Sequence, residues 1–508
     1  MRPYLEGKKL NKIEQNKAAK DGLAVGSEIE TFAKLGWENV DEADLKLRLK
    51  WYGMFWRDKS PGKFMLRLRV PNGVLTFNQL EVIADIINKY DGGRADITTR
   101  QNLQLRGILL EDLPEILKSL DSVGLTTIQS GFDNPRNVTG NPLAGVDPEE
   151  IIDTIPYVKE LDNYLTDCHR GNREFSNLPR KWNTAVAGAK DNFLLHNDIV
   201  FHPVRRLGRL KFGVWIGGVL SSQMNAYAVP LNAWVDPEDI CRLTGVICSI
   251  WRDNGERDKR PKGRFRLYLD SVGVDKFREM VVERFGPLDK WFSCASSGLG
   301  SKFQEKPRSH FGIHKQKQEG LYYAGIHIPV GRLDAVDFYR LSLLSRYGSG
   351  EVRLTEDQNV ILVNIPEDQL DFLKKDVIIE RYFPLEPRSI AAGTVSCTGS
   401  QFCGFAITDT KGDAERIAKE LDNELEIPEE VKIHWTGCPN SCGQAYMGGI
   451  GLTGTKIKGG LGYNITVGGS HLQVGEEYKK RVPLEELKEV LKEILIERFD
   501  AKPASAIG

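Results

Sequence analysis

The sequence predicts an α+β fold of several domains, in which two pseudo-symmetric halves pack together as one domain. Its length of 508 residues is typical of about three domains. A strand–helix–strand–helix pattern occurs twice, and the chain then ends in a turn-rich β region and an amphipathic helix. The two copies lie 257 residues apart, from Gln101 to Gln358, which is far longer than the repeat of a solenoid.

The composition excludes several classes of protein. Apolar residues make up 41% of the chain and charged residues 27%, as in an ordinary globular protein. The net charge of -1 gives no reason to expect a nucleic-acid partner. No run approaches the roughly 18 apolar residues of a membrane helix, and the N-terminus lacks the apolar segment of a secretory signal. We therefore expect a cytoplasmic monomer without integral membrane association, whose thiols stay reduced.

Five segments follow from the pattern of polar and apolar residues along the chain. The first residues are rich in lysine and glutamate, which predicts a partly helical arm lying on the body. The predicted segments are 1–50 for this arm, 51–145 for the first repeat half, 146–312 for a middle α+β domain, 313–390 for the second repeat half and 391–508 for a C-terminal α+β domain.

The two repeat copies share their order of elements and four landmark positions. Each copy predicts a strand that ends in a turn, a helix, a second strand segment and a short helix. Pro71 and Gly73 of the first copy correspond to Pro329 and Gly331 of the second. The predicted elements are 64–73, 80–90, 94–107 and 112–123 in the first copy, and 322–331, a helix to 347, 350–364 and 367–375 in the second.

The second strand segment differs between the copies. Residues 360–363 are apolar on both faces and predict a buried strand, whereas alternation from Ile97 gives the first copy one polar face. A polar, cationic face favours an anionic ligand, although half-solvated strands are also common. The candidate ligand-binding residues on this face are Arg100, Asn102, Gln104 and Arg106.

The middle and C-terminal regions predict further strands and one long helix. Residues 198–203 and 213–220 have strand patterns, and the stretch 252–266 is unusually basic. Leucine spacing after Pro483 predicts a helix from that residue to Phe499. Gly449-x-Gly-x-x-Gly454 resembles a dinucleotide motif, but it leads into turn and strand residues, so we expect no nucleotide there. His310 and His314 are spaced as on one helix face but lack a third metal ligand.

Four of the eight cysteines form two closely spaced pairs near the C-terminus. The pairs are Cys397-x5-Cys403 and Cys438-x3-Cys442, each set among small or turn-forming residues. Four thiolates from two loops are what a cubane iron–sulfur cluster requires. A four-cysteine zinc site needs the same sulfurs, but the usual spacing of two to four residues fits only the second pair. Unrelated buried thiols are a third interpretation, and the remaining cysteines, Cys168, Cys241, Cys248 and Cys294, are predicted to be small core residues.

The motif Thr436-Gly-Cys-Pro-Asn-Ser-Cys442, with its upstream Cys-x5-Cys, resembles the cluster signature of the sirohaem-containing nitrite and sulfite reductases. The resemblance extends to Thr99-Arg-Gln-Asn102, Asn134-Pro-Arg-Asn137 and Leu178-Pro-Arg-Lys-Trp-Asn183, in the family's order. It implies a three-domain architecture with ferredoxin-like halves, a 4Fe–4S cluster on Cys397, Cys403, Cys438 and Cys442, and a sirohaem whose iron is bridged by Cys442.

The same resemblance assigns roles to individual residues. It implies that Arg67, Arg136 and Lys181 bind the substrate anion. It also implies that cations and amides hold the sirohaem carboxylates, and the candidates are the polar face from Arg100 to Arg106, the loop at Arg136 and Asn137, and the basic stretch 252–266. In the sulfite reductases of the family that the motif resembles, the position of Asn183 is a lysine. The asparagine here therefore favours the ferredoxin-dependent nitrite branch of the family. We therefore expect reduction of nitrite to ammonium, in nitrate assimilation, with electrons from reduced ferredoxin. A sulfite reductase is the nearest alternative, and a non-enzymatic zinc protein is the alternative of another class.

Overall fold

A computed structural model of the chain describes residues 5–90, 92–189, 191–206, 208–290 and 308–504. Within these ranges it forms three main packing units, each built on one or two sheets. Cys294, which the sequence placed in a core, lies outside the described residues. No helix in the described part of the chain combines the length and apolar character needed to cross a membrane.

The N-terminal arm is helical and is anchored to the body by buried charges. Lys17 donates to the Asp133 carboxylate at 2.9 Å, and Arg257 donates to Glu14 at 2.6 Å. All four of these side chains are almost fully buried, so the pairs stabilise the arm only because each charge has partners. The arm helices are Lys12–Ala19, Ile29–Leu35 and Glu42–Lys46.

The two repeats form two five-stranded sheets that exchange one strand each. Strand Arg332–Asp334 of the second repeat pairs with Arg94–Thr98, and strand Val74–Thr76 of the first repeat pairs with Glu351–Leu354. One continuous apolar core fills the space between them, which confirms that the halves form a single domain. The other strands are Met54–Phe55, Phe64–Arg67, Asn102–Ile108, Gly312–Lys315, Leu321–Ile326 and Val360–Pro366, and the helices are Phe77–Asn88, Leu113–Ser122, Ala335–Ser345, Leu370–Lys374 and Val377–Arg381.

The middle region is a six-stranded mixed sheet covered by helices. Its parallel edge begins with Thr139–Gly140, so this sheet recruits a strand that precedes the predicted boundary at residue 145. The remaining strands are Thr184–Val186, Ile199–Arg206, Arg209–Ile216, Val229–Val235 and Asp289–Lys290, and the helices are Ile155–Thr166, Ile240–Asn254, Phe265–Val272 and Val274–Phe285.

The C-terminal region is a five-stranded sheet whose first three strands run parallel. The glycine motif from Gly449 lies in strand Ile450–Ile457, as expected for a segment that binds no dinucleotide. The strands are Thr394–Ser396, Ile433–Thr436, Ile450–Ile457, Gly460–Val467 and Glu476–Pro483, and the helices are Ser389–Ala392, Thr410–Glu424 and Leu487–Arg498.

Several sequence predictions are wrong in detail. Pro483 ends a strand and does not begin the last helix, which starts at Leu487, because its fixed φ also suits a strand terminus. Cys168 is exposed and is therefore not a core residue, whereas Cys241 and Cys248 are buried. His314 lies in strand Gly312–Lys315, so it shares no helix face with His310.

The segments 94–107 and 350–364 are each predicted as one strand, and each is a hairpin instead. The second hairpin pairs Glu351–Leu354 with Val360–Pro366. The first hairpin turns between Thr98 and Asn102, where Gln101 adopts a left-handed φ of 52°. Thr99, Arg100 and Gln101 are therefore turn residues and not members of alternating faces. Period-2 alternation continued across the turn by chance, which hid the reversal.

Candidate functional site

The four predicted cluster ligands are brought together by two loops of the C-terminal region. All four are free thiols, and Cys438 is electrostatically coupled to Cys397, Cys403 and Cys442. Burial raises the pKa of Cys438 to about 11 and also raises the pKa of Cys397. The Gly437 N–H donates to Cys397 Sγ at 3.2 Å, which is the kind of contact that stabilises a sulfur carrying negative charge.

The described thiols do not converge on one point. Among the residues that the structure describes, no three His, Cys, Asp or Glu side chains are placed to hold one ion. A tetrahedral zinc with Zn–S bonds of about 2.3 Å would require such convergence. A larger inorganic cluster, with one thiolate for each iron, fits sulfurs that are neighbours without meeting at a point.

A group of cations lies beside Cys442. The Cys442 thiol is electrostatically coupled to Arg57, Arg67, Arg100 and Lys181, which come from three different segments of the chain. Burial, followed by the charge of Arg57, lowers the pKa of Arg67 to about 9. Burial, followed by Arg264 and Arg100, lowers the pKa of Lys181 well below its ordinary value. These positive charges repel one another and have too few acids nearby, so the group favours an anionic ligand.

The loop 129–136 fixes two of the predicted anion-binding residues. Arg67 Nη1 and Arg136 Nη1 both donate to the Ser130 carbonyl, at 3.3 and 3.2 Å, and Arg136 Nη2 donates to the Phe132 carbonyl at 2.9 Å. Phe132 has a φ of 54°, which is unusual for an aromatic residue and shows that the surrounding structure imposes this turn. Burial and the charges of Arg67 and Arg100 lower the pKa of Arg136 well below its ordinary value.

Asn183 and Arg100 are both hydrogen-bonded to the segment His196–Asp198, beside the group of cations. Arg100 Nη1 donates to Asn197 Oδ1 at 2.8 Å. Asn183 is fully buried, and its backbone and side-chain nitrogens donate to Asp198 Oδ2 at 2.9 and 2.7 Å. Arg264 also binds Asp198, at 3.1 Å. Asn183 thus orients Asp198, and its own Oδ1 is buried without a hydrogen-bond partner in the described part of the chain.

Other predicted ligand residues have structural partners. Asn102 Nδ2 donates to the Leu68 carbonyl at 2.7 Å, and Asn137 binds both backbone groups of Val70. Arg106 pairs with Asp96 at 2.7 Å and donates to Gln104 Oε1 at 2.8 Å. Arg106 is nevertheless coupled to Arg57 and Arg67, so it lies at the margin of the cation group.

Sequence reasoning missed several members of this site. Lys50, Arg57 and Arg180 carry pKa values lowered by burial and by other cations, to about 8 for Lys50 and about 10 for the two arginines. Arg264 was not missed, because it belongs to the basic stretch 252–266 that the sequence predicts as a source of cations for the sirohaem carboxylates. The pair His196 and Glu356 was also missed, and only the correspondence of Glu356 with Thr99 in the repeat could have pointed to it.

Two repeat halves, four neighbouring thiols and an adjoining group of cations define a redox enzyme with an iron–sulfur centre. Comparisons with known proteins agree with this class. The model of the nitrite and sulphite reductase 4Fe-4S domain matches residues 131–287 and 391–499, and that of the nitrite/sulfite reductase ferredoxin-like half domain matches residues 57–123 and 314–377. The chain therefore belongs to the nitrite and sulphite reductase family.

Individual relatives match along almost the whole chain. A ferredoxin–nitrite reductase of Synechococcus elongatus is 47% identical over 510 residues, covering 98% of both chains. A chloroplastic ferredoxin–nitrite reductase of Arabidopsis thaliana is 44% identical and covers 94% of this chain and 84% of its own. The solved structure of the Mycobacterium tuberculosis NirA protein superimposes with a TM-score of 0.87 at 27% identity, covering 96% of this chain and 93% of that one.

Proposed function

We propose that this protein is a ferredoxin-dependent nitrite reductase that converts nitrite to ammonium in nitrate assimilation. The reaction takes six electrons and eight protons for each nitrite and releases ammonium and two waters. The contact between the Cys442 loop and the turn of Arg100 carries this proposal, because it joins the cysteines to the cation group: Thr99 Oγ1 donates to the Cys442 carbonyl at 3.1 Å. The similarity to ferredoxin–nitrite reductases supports the choice of nitrite as the substrate and ferredoxin as the donor.

Sirohaem fits the residues beside Cys442. A tetrapyrrole with eight carboxylates requires many cations and hydrogen-bond donors if it is to be buried. The described residues supply an excess of arginines here. Four of their guanidinium nitrogens are buried without a hydrogen-bond partner in the described part of the chain, namely Nε of Arg57, Arg136 and Arg264 and Nη1 of Arg106. When bound, sirohaem would supply an iron that binds the substrate and passes electrons to it. The residues that we expect to hold its carboxylates are Lys50, Arg57, Arg100, Arg106 and Arg264.

The chain's own residues bind and protonate the anion. Arg67 and Arg136 are fixed by the Ser130 carbonyl and offer permanent positive charge to a small anion. Lys181 differs because a buried ammonium, whose pKa burial lowers, gives up its proton more readily than a guanidinium does. We therefore assign the two arginines to binding and Lys181 to both binding and proton donation.

The alternative activity is sulfite reduction, which the same family includes. Asn183 stands at a position where we expect lysine in a sulfite reductase. The asparagine favours nitrite because a singly charged anion needs less positive charge. The zinc alternative would need the four thiolates on one ion, whereas residues 391–499 match the model of a 4Fe-4S domain.

A spectrum and a turnover assay on the purified protein test the proposal together. We expect the visible bands of sirohaem, and in each protein chain the four irons and the acid-labile sulfide of one cluster. With reduced ferredoxin, we expect stoichiometric ammonium from nitrite. Cys403→Ser should lose cluster iron and sirohaem together. A colourless protein from a host that makes sirohaem, or full retention of both groups in Cys403→Ser, would contradict the proposal.

A further inference from the structure

The segment His196–Asp198 lies between the turns of the two pseudo-symmetric hairpins. On one side, Arg100 of the first turn donates to Asn197 at 2.8 Å. On the other side, Glu356 of the second turn places Oε1 3.8 Å from His196 Nε2. The repeat therefore brings a cation and an acid to adjacent residues at the edge of the anion site.

Glu356 and His196 have free hydrogen-bonding capacity in a buried place. Glu356 Oε1 and His196 Nδ1 are both buried without a hydrogen-bond partner among the residues that the structure describes. A carboxyl that served only to stabilise the fold would be paired, because an unsatisfied buried polar atom costs about 1–3 kcal/mol. The neighbouring acid shows the contrast, since Asp357 pairs with Lys432 at 2.6 Å.

The charged and titratable groups around the pair come from every element that packs against it. Glu356 faces Arg100 and Asp357. His196 faces Arg100, Lys181, His434 and His471. The two outer histidines are in turn coupled to Asp357 and Lys432, and His471 also to Asp191.

This environment sets the protonation of both groups. Burial raises the pKa of Glu356 to about 8, against the opposing charge of Arg100, so the carboxyl is protonated at neutral pH. Burial and the positive charge of Arg100 lower the pKa of His196 well below its ordinary value, so the imidazole is neutral. A protonated acid next to a neutral imidazole is a donor–acceptor pair for proton transfer.

We propose that Glu356 and His196 form a proton-delivery pair that supplies the anion site through Lys181. The inference rests on the proposed reduction of nitrite, which consumes eight protons in each turnover. The Glu356 O–H bond breaks as an N–H bond forms at His196 Nε2, and the proton on Nδ1 leaves toward the amine that Lys181 has after it gives its own proton to the substrate. Rotation of the imidazole ring then restores the starting tautomer. Solvent then reprotonates the Glu356 carboxylate, whose side chain is 16% exposed. No electrons move in these steps.

The distance between the two groups shapes how the transfer occurs. At 3.8 Å the carboxyl and the imidazole are too far apart for a direct hydrogen bond. A rotation of the Glu356 side chain, or one bridging water, closes the gap. We call Glu356 a proton-transfer residue and not a substrate ligand, because it faces His196 and Arg100 and not the predicted anion-binding residues Arg67 and Arg136.

The test compares two glutamate-to-glutamine variants at opposite ends of one strand. Glu356→Gln keeps the shape of the side chain and removes its proton, while Glu367→Gln changes an exposed acid just beyond the other end of strand Val360–Pro366. We expect Glu356→Gln to reduce kcat with nitrite by roughly tenfold or more, as for the loss of a general acid. Its nitrite KM should stay within about twofold, its solvent deuterium isotope effect should rise, and the loss of activity as pH rises through about 8 should disappear. Glu367→Gln should behave as wild type.

Infrared spectroscopy gives a readout that does not depend on turnover. The C=O stretch of a protonated carboxylic acid should be present below about pH 8 and absent above it in wild type and in Glu367→Gln. It should be missing at both pH values in Glu356→Gln and retained in Glu356→Asp, the variant to use if the glutamine protein does not fold. If Glu356→Gln keeps the wild-type band, pH profile and isotope effect, the proposal is overturned. Absence of nitrite reduction by wild type would instead overturn the proposed function.

Discussion

The turns of the two hairpins share one framework and carry opposite charges. Gln101 and Gln358 both adopt a left-handed backbone, with φ of 52° and 64°. Gln101 exchanges two hydrogen bonds with the backbone of Gly140, and Gln358 does the same with Ser396. Each turn thus docks onto the first strand of a following sheet. The residues between the shared landmarks differ, and two of them, Arg100 and Glu356, reach the segment His196–Asp198.

The difference shows that the landmarks of the repeat are structural and that function lies in the unmatched positions. Gly73 lies so close to Gln101, and Gly331 to Gln358, that an added Cβ would be 2.9 and 2.5 Å from the glutamine Cβ. This contact explains why Pro-x-Gly and Gln-Asn recur together. Arg100 of the first turn and Glu356 of the second are not equivalent positions, yet both meet the segment His196–Asp198.

The largest effect should come from filling the space at a landmark glycine. Gly331→Ala places a methyl group 2.5 Å from Gln358 Cβ at a φ of 64°, so both strain and overlap oppose it. We expect a loss of about 2–4 kcal/mol in the free energy of unfolding, measured by urea denaturation. Gly320→Ala is the matched control, because its φ is 73° but no atom lies within 4 Å. It should cost only about 1 kcal/mol, and equal losses in the two variants would show that the landmark contact is unimportant.

The second test removes the glutamine that docks each turn. Gln101→Leu and Gln358→Leu each leave a buried backbone N–H and C=O without their partner, at a cost of about 1–3 kcal/mol. Only Gln358 binds Ser396, the residue before Cys397. We therefore expect similar losses of stability, but faster release of iron to a chelator only in Gln358→Leu. Equal rates of iron release would mean that the docking of the second turn does not hold the cysteine loop.

The third test uses pH to measure how much the charge of Asp357, in the second turn, contributes to stability. Lys432 holds the pKa of Asp357 below its ordinary value, so this carboxylate contributes stability above its unfolded pKa of about 3.9 and loses it as the pH falls further. Asp357 is 35% exposed, so solvent screening limits the loss in Asp357→Asn to about 1 kcal/mol at pH 7. The difference between wild type and variant should vanish in urea denaturation at acidic pH. A difference that stays constant with pH would show that the pair is not electrostatic.

The repeat could be predicted from the sequence, because its landmarks form a local pattern with a specific spacing. The cysteine ligands and the roles of Arg67, Arg136 and Lys181 come from patterns of the same kind and stay predictions. The sequence was insufficient where a tertiary contact decides the outcome. The side chains of Asn102 and Asn137 are hydrogen-bonded to the backbone of Leu68 and Val70, respectively. No local pattern in the sequence reveals these contacts. Glu356 acquires its chemistry only from burial beside His196 and Arg100, which lie about 160 and 256 residues away in the chain.

The smallest effect concerns Asn183, which binds Asp198, the last residue of the segment between the two turns. Asn183 donates to Asp198, so the ammonium of Asn183→Lys would pair with Asp198 and release part of the Arg264 charge toward the anion site. One added charge about 4 Å from an anion is worth up to roughly 4 kcal/mol at an effective dielectric of about 20, and Asp198 and desolvation should remove most of it. The remainder favours the doubly charged sulfite, so we expect kcat/KM for sulfite to rise several-fold relative to that for nitrite. Asn183→Gln, which lengthens the side chain without charge, is the control for size. An unchanged ratio in Asn183→Lys, with cluster and sirohaem intact by spectrum, would mean that selectivity between the two anions is set elsewhere.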